Sequence, residues 1–201
     1  MYLLPEVKKK EERAGRYCLP FNGEIAVDLS VKEESRDAVS LLKKYVQDIC
    51  GISLSLNGAV TELTAVRFEK KETGHAEGYE LEIGSEGIAL RAGNSRGWIY
   101  AVQTLRQILS QEGLSLPCLL IEDYPSLEIR GFMHDVTRSR VPSMESMKAL
   151  ADWCSRYKLN HLELYVEHTY LFPQFSEMWR ADTPLTAEDS LELDDYCASR
   201  G

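Results

Sequence analysis

The sequence predicts an α/β protein in two parts, and three observations support this prediction. In residues 20–125, short runs of alternating apolar residues surround two apolar stripes of helical period, which indicates a small α+β domain. After Pro125 the pattern becomes strand, helix, strand, helix, which favours parallel strands joined by helices. The proline follows the polar pair Glu122-Asp123 closely and marks the boundary between the two parts.

The elements of the first part follow the order β-α-β-β-β-β-α. The alternation of apolar residues predicts strands at 24–30, 52–56, 66–69, 79–83 and 88–92. Apolar residues at helical spacing predict helices at 33–50 and 97–111, the first of them stopped by Gly51. Residues 114–125 close this part. Residues 1–19, which are rich in charge, are assigned to an N-terminal extension outside the domain.

The sequence pattern of the second part, residues 126–201, predicts two strand-helix units. Strands are expected at 129–136 and 159–166, the second of them buried. Ser143 is a suitable N-cap for a helix that reaches residue 157, and Thr186 is a suitable N-cap for one that reaches residue 199.

Charge and composition exclude several classes of partner. The net charge of −9 repels phosphate groups, so we expect neither nucleic acid nor an anionic membrane as a partner. The N-terminus lacks the apolar core of a signal peptide, and no run approaches the ~20 apolar residues of a membrane span. The chain as written is therefore expected in the cytoplasm.

Cysteine usage and motif spacing predict neither a metal nor a cofactor. The five cysteines are odd in number and widely spread, which favours reduced structural thiols over a disulfide framework or a zinc site. The sequence has no Gly-rich phosphate loop, no metal-spaced His/Cys cluster and no Ser-His-Asp arrangement.

Two stretches carry a family resemblance. Residues 78–83 (Gly-Tyr-Glu-Leu-Glu-Ile), the return strand at 88–92 and the run from Gly97 to Ile108 form the first. The second is Ile-Glu-Asp-Tyr-Pro at 121–125, followed by Arg-Gly-Phe-Met-His-Asp-Val-Thr-Arg at 130–138. In this order they resemble the non-catalytic N-terminal domain and the first barrel strand of family 20 glycoside hydrolases, the β-N-acetylhexosaminidases.

The resemblance implies the first two units of a (β/α)8 TIM barrel behind the α+β domain. It also implies substrate-assisted, retaining hydrolysis that removes a terminal N-acetylhexosamine, with an adjacent Asp-Glu pair on a later strand. No Asp-Glu step follows Asp135. We therefore expect a fragment of such an enzyme that is inactive alone. The alternatives are a related acetamido-sugar or uronic-acid hydrolase, and a non-catalytic carbohydrate-binding or domain-docking module.

Five residues are candidates for the site. By the resemblance, Arg130 matches the arginine that binds sugar hydroxyls, and the alternative is a structural ion pair with Asp135 or another acid. Glu167 or His168 would contact the sugar from the end of the second strand, although many family members carry Asp where His168 stands. The alternative for His168 is a buried side chain bonded to backbone. Asp135 and Arg138 are expected to support their neighbours structurally.

The expected partner is a glycan that ends in N-acetylhexosamine. Aromatic residues near the second strand would either stack on sugar or fill a core beneath a loop: Tyr170, Phe172, Phe175 and Trp179. Two strand-helix units leave strand edges unpaired and an apolar face uncovered, so we also expect self-association through the incomplete barrel.

Overall fold

A computed structural model describes residues 1–138, 140–175, 177 and 183–201. The chain divides into two compact units, Met1–Ser126 and Leu127–Gly201. The sequence had set this boundary behind Pro125. Each unit combines strands and helices, so the fold is mixed α/β.

The first unit contains seven strands and two α-helices. Its elements are β1 (Lys9–Cys18), β2 (Glu24–Val27), α1 (Arg36–Cys50), β3 (Ser55–Asn57), β4 (Thr64–Lys70), β5 (Tyr79–Gly84), β6 (Gly87–Ala92), α2 (Ser95–Glu112) and β7 (Ser115–Asp123). The strands form one mixed sheet in the order β1-β7-β5-β6-β4-β2-β3. β2 runs parallel to β3 and β4, and β4 runs parallel to β6. β5 pairs antiparallel with β6 and β7, and β1 pairs antiparallel with β7.

The two helices of this unit end where the sequence supplies caps. The Asn94 side chain accepts a hydrogen bond from the Gly97 amide at the start of α2, and Gly51 ends α1 in the left-handed region at φ 72°. Gly97 also permits close packing, since a Cβ there would lie 2.6 Å from the Gly78 carbonyl oxygen. Both helices share one core with the sheet, and Trp98 and Phe68 are fully buried in it.

The opposite face of β5 and β6 carries a ladder of charges. The Arg91 guanidinium donates to Glu69 and Glu80, each at 2.6 Å, and to Glu82 at 2.8 Å. Arg13 of β1 binds the second oxygen of Glu82 at 2.6 Å. The strands therefore alternate between core and charged positions, as a sheet covered on one face does.

The assignment of residues 1–19 to an extension is wrong. Lys9–Cys18 is the edge strand β1, which pairs antiparallel with β7. The sequence gives no alternating signal there because nearly every side chain of β1 is exposed. Charged residues are common on edge strands, where they discourage pairing with other chains. Ahead of β1, Gln107 and Gln111 of α2 exchange hydrogen bonds with the backbone of Leu4 and Tyr2.

In its described residues, the second unit contains two strand-helix pairs. Its elements are β8 (Gly131–Asp135), α3 (Met144–Arg156), β9 (His161–Tyr165) and α4 (Ala187–Ala198), with one 3-10 turn at Pro173–Phe175. β8 and β9 pair in parallel, as predicted. Ser143 caps α3, and Thr186 caps α4 through a capping box with Asp189. Among the described residues, the buried apolar cluster of this unit consists of Val136, Met147, Leu185 and Leu193.

In the described part of the chain, no helix has the length and apolar content needed to cross a bilayer. The same residues contain no group of three or more His, Cys, Asp or Glu side chains that could hold a metal ion. The five cysteines are free thiols.

Candidate functional site

The carboxyl ends of β8 and β9 lie side by side because the strands are parallel and in register. Asp135, the last residue of β8, is opposite Tyr165, the last residue of β9. One residue further, the Val136 amide still donates to the Tyr165 carbonyl oxygen at 3.1 Å. Ligands of α/β sheets bind outside the carboxyl ends of the strands, so this edge is the place to look for a site.

Three charged side chains meet at this edge. Arg138 forms an ion pair with Asp135, and its other terminal nitrogen, Nη2, lies 3.2 Å from Glu167 Oε1. The Tyr165 hydroxyl donates to the same Glu167 oxygen at 2.8 Å, and the Arg138 guanidinium lies 5.2 Å from the Tyr165 ring centroid. The side chains of Arg138 and Glu167 remain 63% and 47% exposed, so both are accessible to a ligand.

The turn after β8 is held by Asp135 itself. Its Oδ1 accepts hydrogen bonds from the backbone amides of Thr137, at 2.9 Å, and Arg138, at 3.2 Å. The hydrogen bond from the Thr137 backbone amide and the one from the Arg138 guanidinium keep the pKa of Asp135 below its usual value, because both stabilise the charged carboxylate. The hydrogen bond that Arg138 donates to Asp135 in turn raises the pKa of Arg138. Asp135 thus stays ionised and orients Arg138.

Thr137 connects the two strand ends. Its Oγ1 accepts a hydrogen bond from the Glu167 amide at 2.9 Å and lies 3.4 Å from the Tyr165 carbonyl oxygen, to which it donates. Its side chain is nearly buried. The loop after β9 is therefore tied to the turn after β8 through one hydroxyl group.

An open cleft of about 660 Å³ lies beside this cluster. Its lining includes Asp135, Arg138 and Arg140, with the first turn of α3 on the other side. Glu167 is outside the lining. The cleft leaves room for a small polar molecule in reach of the Arg138 guanidinium.

Arg130 lies at the other end of β8, one residue before the strand begins. Its Nε donates to the Lys158 carbonyl oxygen and its Nη1 to the Leu127 carbonyl oxygen, each at 2.7 Å. The Arg130 amide binds the Asn160 side chain, so the whole residue fastens the loops at this end. Strands rise about 3.3 Å per residue, so roughly 16 Å of backbone separates Arg130 from Asp135.

This placement does not support the expectation that Arg130 shares one sugar site with Glu167 and His168. Asp135, the first partner considered for an ion pair with Arg130, pairs with Arg138. The structure brings together Asp135, Arg138 and Glu167. Sequence position could have indicated Arg138, because it lies three residues after the end of the strand, whereas Arg130 precedes the strand.

His168 follows Glu167 and is exposed, so the alternative of a buried histidine is wrong. In the aromatic stretch, Tyr170 packs partly against the small core of this unit, and Phe172 lies 4.8 Å from it between ring centroids. Phe172 and Phe175 are about half exposed. Trp179 lies outside the described residues.

Comparison with known proteins identifies the family. The model of glycosyl hydrolase family 20, domain 2, matches residues 1–124, more than half of the chain. The chain belongs to glycosyl hydrolase family 20. This family 20 chain is 36% identical to the N,N'-diacetylchitobiase of Vibrio harveyi over 107 residues, which are 53% of this chain and 11% of that protein. It is 28% identical to a β-hexosaminidase of Akkermansia muciniphila over 153 residues, 62% of this chain and 29% of that protein.

Solved structures of family 20 proteins share the fold. The N-acetyl-β-hexosaminidase of Streptomyces plicatus, in complex with Thio-NAglucal, matches 98% of this chain with a TM-score of 0.86 at 23% identity. The exo β-N-acetylglucosaminidase of Vibrio harveyi, in complex with N-acetylglucosamine, matches 99% with a TM-score of 0.83 at 22% identity. The match covers 44% and 34% of those chains, so this family 20 chain spans less than half of their length.

Proposed function

We propose that this chain forms the α/β domain and the first two strand-helix units of the barrel of a β-N-acetylhexosaminidase. In this proposal, Arg138 and Glu167 hold the terminal N-acetylhexosamine of a glycan. The meeting of Asp135, Arg138 and Glu167 at the carboxyl ends of two parallel strands is the observation that carries it. The active sites of (β/α)8 barrels lie at this face.

The chemistry of these side chains suits a neutral sugar. The Arg138 guanidinium offers a rigid fork of donors for the oxygens of neighbouring hydroxyls. Glu167 accepts both of its described side-chain bonds on Oε1, from Tyr165 and Arg138, so Oε2 is directed to a sugar hydroxyl in this proposal. Asp135 neutralises part of the charge of Arg138, which makes a neutral ligand more suitable than an anion.

Arg138 replaces Arg130 as the proposed sugar-binding arginine. Nε and Nη1 of Arg130 donate to backbone carbonyl oxygens at the amino end of β8, where they stabilise loops. The side chain of Arg138 is exposed on the edge that carries Glu167. A sugar ring is about as long as two residues of strand, which is much less than the roughly 16 Å of backbone between Arg130 and Asp135. A ring that contacts Arg138 and Glu167 therefore does not reach Arg130.

The proposed reaction is retaining hydrolysis in which the 2-acetamido oxygen of the sugar attacks its own anomeric carbon. Such an intramolecular attack is fast because the nucleophile is held close to the carbon. A general acid must protonate the leaving oxygen, and a carboxylate must orient the acetamido nitrogen. The sequence after Asp135 has no adjacent Asp-Glu pair, so we propose that these 201 residues bind the sugar without cleaving its linkage.

Binding of N-acetylglucosamine, followed by NMR on the 15N-labelled chain, tests the proposal. We expect shifts of the Arg138 and Glu167 amides with saturation at millimolar sugar. Arg138→Ala should weaken binding at least about tenfold, as expected when a charged hydrogen bond to the ligand is lost. Arg36→Ala is the matched control, because Arg36 is a similarly exposed arginine of the other unit.

Two outcomes would contradict the proposal. The first is wild-type protein that shows no shift at these amides in saturating sugar. The second is an Arg138→Ala variant that binds as tightly as the Arg36→Ala control. Incubation with 4-nitrophenyl N-acetyl-β-D-glucosaminide separates binding from turnover, and release of nitrophenol by the chain would refute binding without cleavage.

A further inference from the structure

We infer that Thr137 is a positioning residue, which sets the carboxylate of Glu167 against the guanidinium of Arg138. The inference rests on the proposed function, since it assigns a role within the same sugar site. Thr137 needs no contact with the sugar for this role. It acts through the backbone of the loop that carries Glu167.

The contacts of the Thr137 hydroxyl carry the inference. One oxygen accepts from the Glu167 amide at 2.9 Å and donates to the Tyr165 carbonyl at 3.4 Å. It thereby continues the pairing of β8 and β9 beyond the point where the backbone ladder ends. The Thr137 amide is held in turn by Asp135 Oδ1 at 2.9 Å.

These bonds close a ring that contains both proposed sugar-binding side chains. Arg138 follows Thr137 directly in the chain, and its guanidinium reaches Glu167 Oε1 at 3.2 Å. The ring therefore links Arg138 to Glu167 once through their side chains and once through the Thr137 hydroxyl. Because the side-chain pair is largely exposed, the hydroxyl is the better shielded of the two links.

Loss of the Thr137 hydroxyl affects the Glu167 amide more than the Tyr165 carbonyl oxygen. The Tyr165 carbonyl oxygen keeps the bond from the Val136 amide at 3.1 Å. The Glu167 amide loses the acceptor that holds it, and an amide without an acceptor near a protein interior is costly. We expect the loop to shift until water reaches this amide, and the Glu167 side chain to shift with it.

Thr169 offers a matched control two residues beyond Glu167. It is as buried as Thr137, at 7% exposure against 8%. Its hydroxyl, however, has no hydrogen-bond partner among the residues that the structure describes. A change of threonine to valine at 169 therefore removes a similar group without breaking a described bond.

The test compares Thr137→Val, Thr137→Ser and Thr169→Val in the full chain with the wild type. NMR measures two quantities: the hydrogen-exchange rate of the Glu167 amide without sugar, and the affinity for N-acetylglucosamine. For Thr137→Val we expect exchange about tenfold faster and affinity several-fold weaker, by about the free energy of one hydrogen bond. Serine retains the hydroxyl and should restore both, and Thr169→Val should change neither.

The outcomes separate this inference from the proposed function. If wild-type protein binds the sugar and Thr137→Val binds it equally well, the inference is overturned and the proposed function stands. Equal exchange of the Glu167 amide in wild type and Thr137→Val also overturns it, whatever the affinity. Absence of sugar binding by the wild type removes the proposed function and the positioning role with it. If Thr169→Val weakens sugar binding as much as Thr137→Val does, the effect comes from general packing, and the inference is overturned.

Discussion

In the Met1–Ser126 unit, a seven-stranded sheet and two helices enclose a large core in which Trp98, Tyr100 and Phe68 are fully buried. In the Leu127–Gly201 unit, two strands and two helices bury a cluster that, as far as the structure describes it, has four apolar members. Large apolar side chains of the strand β8, such as Met133, remain 58% exposed. The first unit therefore encloses a much larger apolar core than the described part of the second unit.

The two units also differ in what their charged residues do. The first unit has a ladder in which Arg91 and Arg13 bind carboxylates on the face of the sheet away from its large apolar core. The second unit places charged residues at the ends of two strands, where they stay exposed and can bind a ligand. A small core beside an exposed polar edge is the arrangement on which the proposed sugar-binding role of the second unit depends.

The two tryptophans give the largest expected contrast. Trp98→Ala should lower the free energy of unfolding by about 3–5 kcal/mol, the usual range for loss of a buried large aromatic side chain. Trp153 of α3 is 52% exposed, so Trp153→Ala should cost less than about 1 kcal/mol. Urea unfolding followed by far-UV circular dichroism measures both. Equal losses would show that the two units do not differ in burial as proposed.

The charge ladder gives the next contrast. Arg91 faces three carboxylates with 20% of its side chain exposed. Arg91→Met should lower the free energy of unfolding by about 2 kcal/mol. This value lies between the ~0–1 kcal/mol of an exposed ion pair and the ~3–5 kcal/mol lost when a buried pair loses one partner. The control is Lys44→Met, which removes an exposed i,i+4 pair with Asp48 and should cost less than about 0.5 kcal/mol.

The ladder also predicts how stability depends on pH. The pKa of Glu82 is lowered by its bonds from Arg91 and then Arg13. Burial raises the pKa of Glu80, but bonds from Lys71 and Arg91 together outweigh it, so this pKa is lowered too.

Because both folded-state pKa values lie below 4.5, the stabilisation is present above that pH and is lost as the pH falls through the folded values. Unfolding of wild type and Arg91→Met across this acid range measures it. A variant as sensitive to acid as the wild type would argue against the ladder.

The same comparison explains which elements the sequence predicted. Helices and inner strands bury one face, so their apolar spacing predicted α1, α2, β5 and β6 closely. The edge strand β1 buries almost nothing, so hydrophobic spacing carried no signal for it. β1 was recognisable only as the partner of β7, which is a long-range contact that no local pattern records.

The candidate site was harder to predict than the fold. Glu167 was a candidate because it stands at the carboxyl end of a predicted strand. Asp135 and Arg138 were named from the family motif, with a structural role rather than a sugar-binding one. The choice of Arg130 rests on motif similarity alone, although the predicted strand at 129–136 already places it at the amino end, away from the expected site. The role of Thr137 depends on a bond between two loops 30 residues apart in sequence, and only the three-dimensional structure supplies it.

The exposed apolar surface of the second unit gives the smallest expected effect. Both Phe132 and Met133 of β8 are exposed, at 43% and 58%, and a sheet of two strands has few neighbours to cover them. We expect the chain to self-associate through this strand in analytical ultracentrifugation. Met133→Lys should weaken the association by about fivefold, since it removes about 1 kcal/mol of apolar burial and adds a charge.

Val60→Lys is the matched control for this variant. Val60 is an apolar residue of the first unit with 68% exposure, so the change adds the same charge to a unit that has completed its core. If Val60→Lys dissociates the protein as effectively as Met133→Lys, net charge rather than the strand β8 controls association. If the wild type sediments as a monomer at every concentration, the apolar surface of the second unit is too small to drive association, and the contrast between the units is confined to their cores.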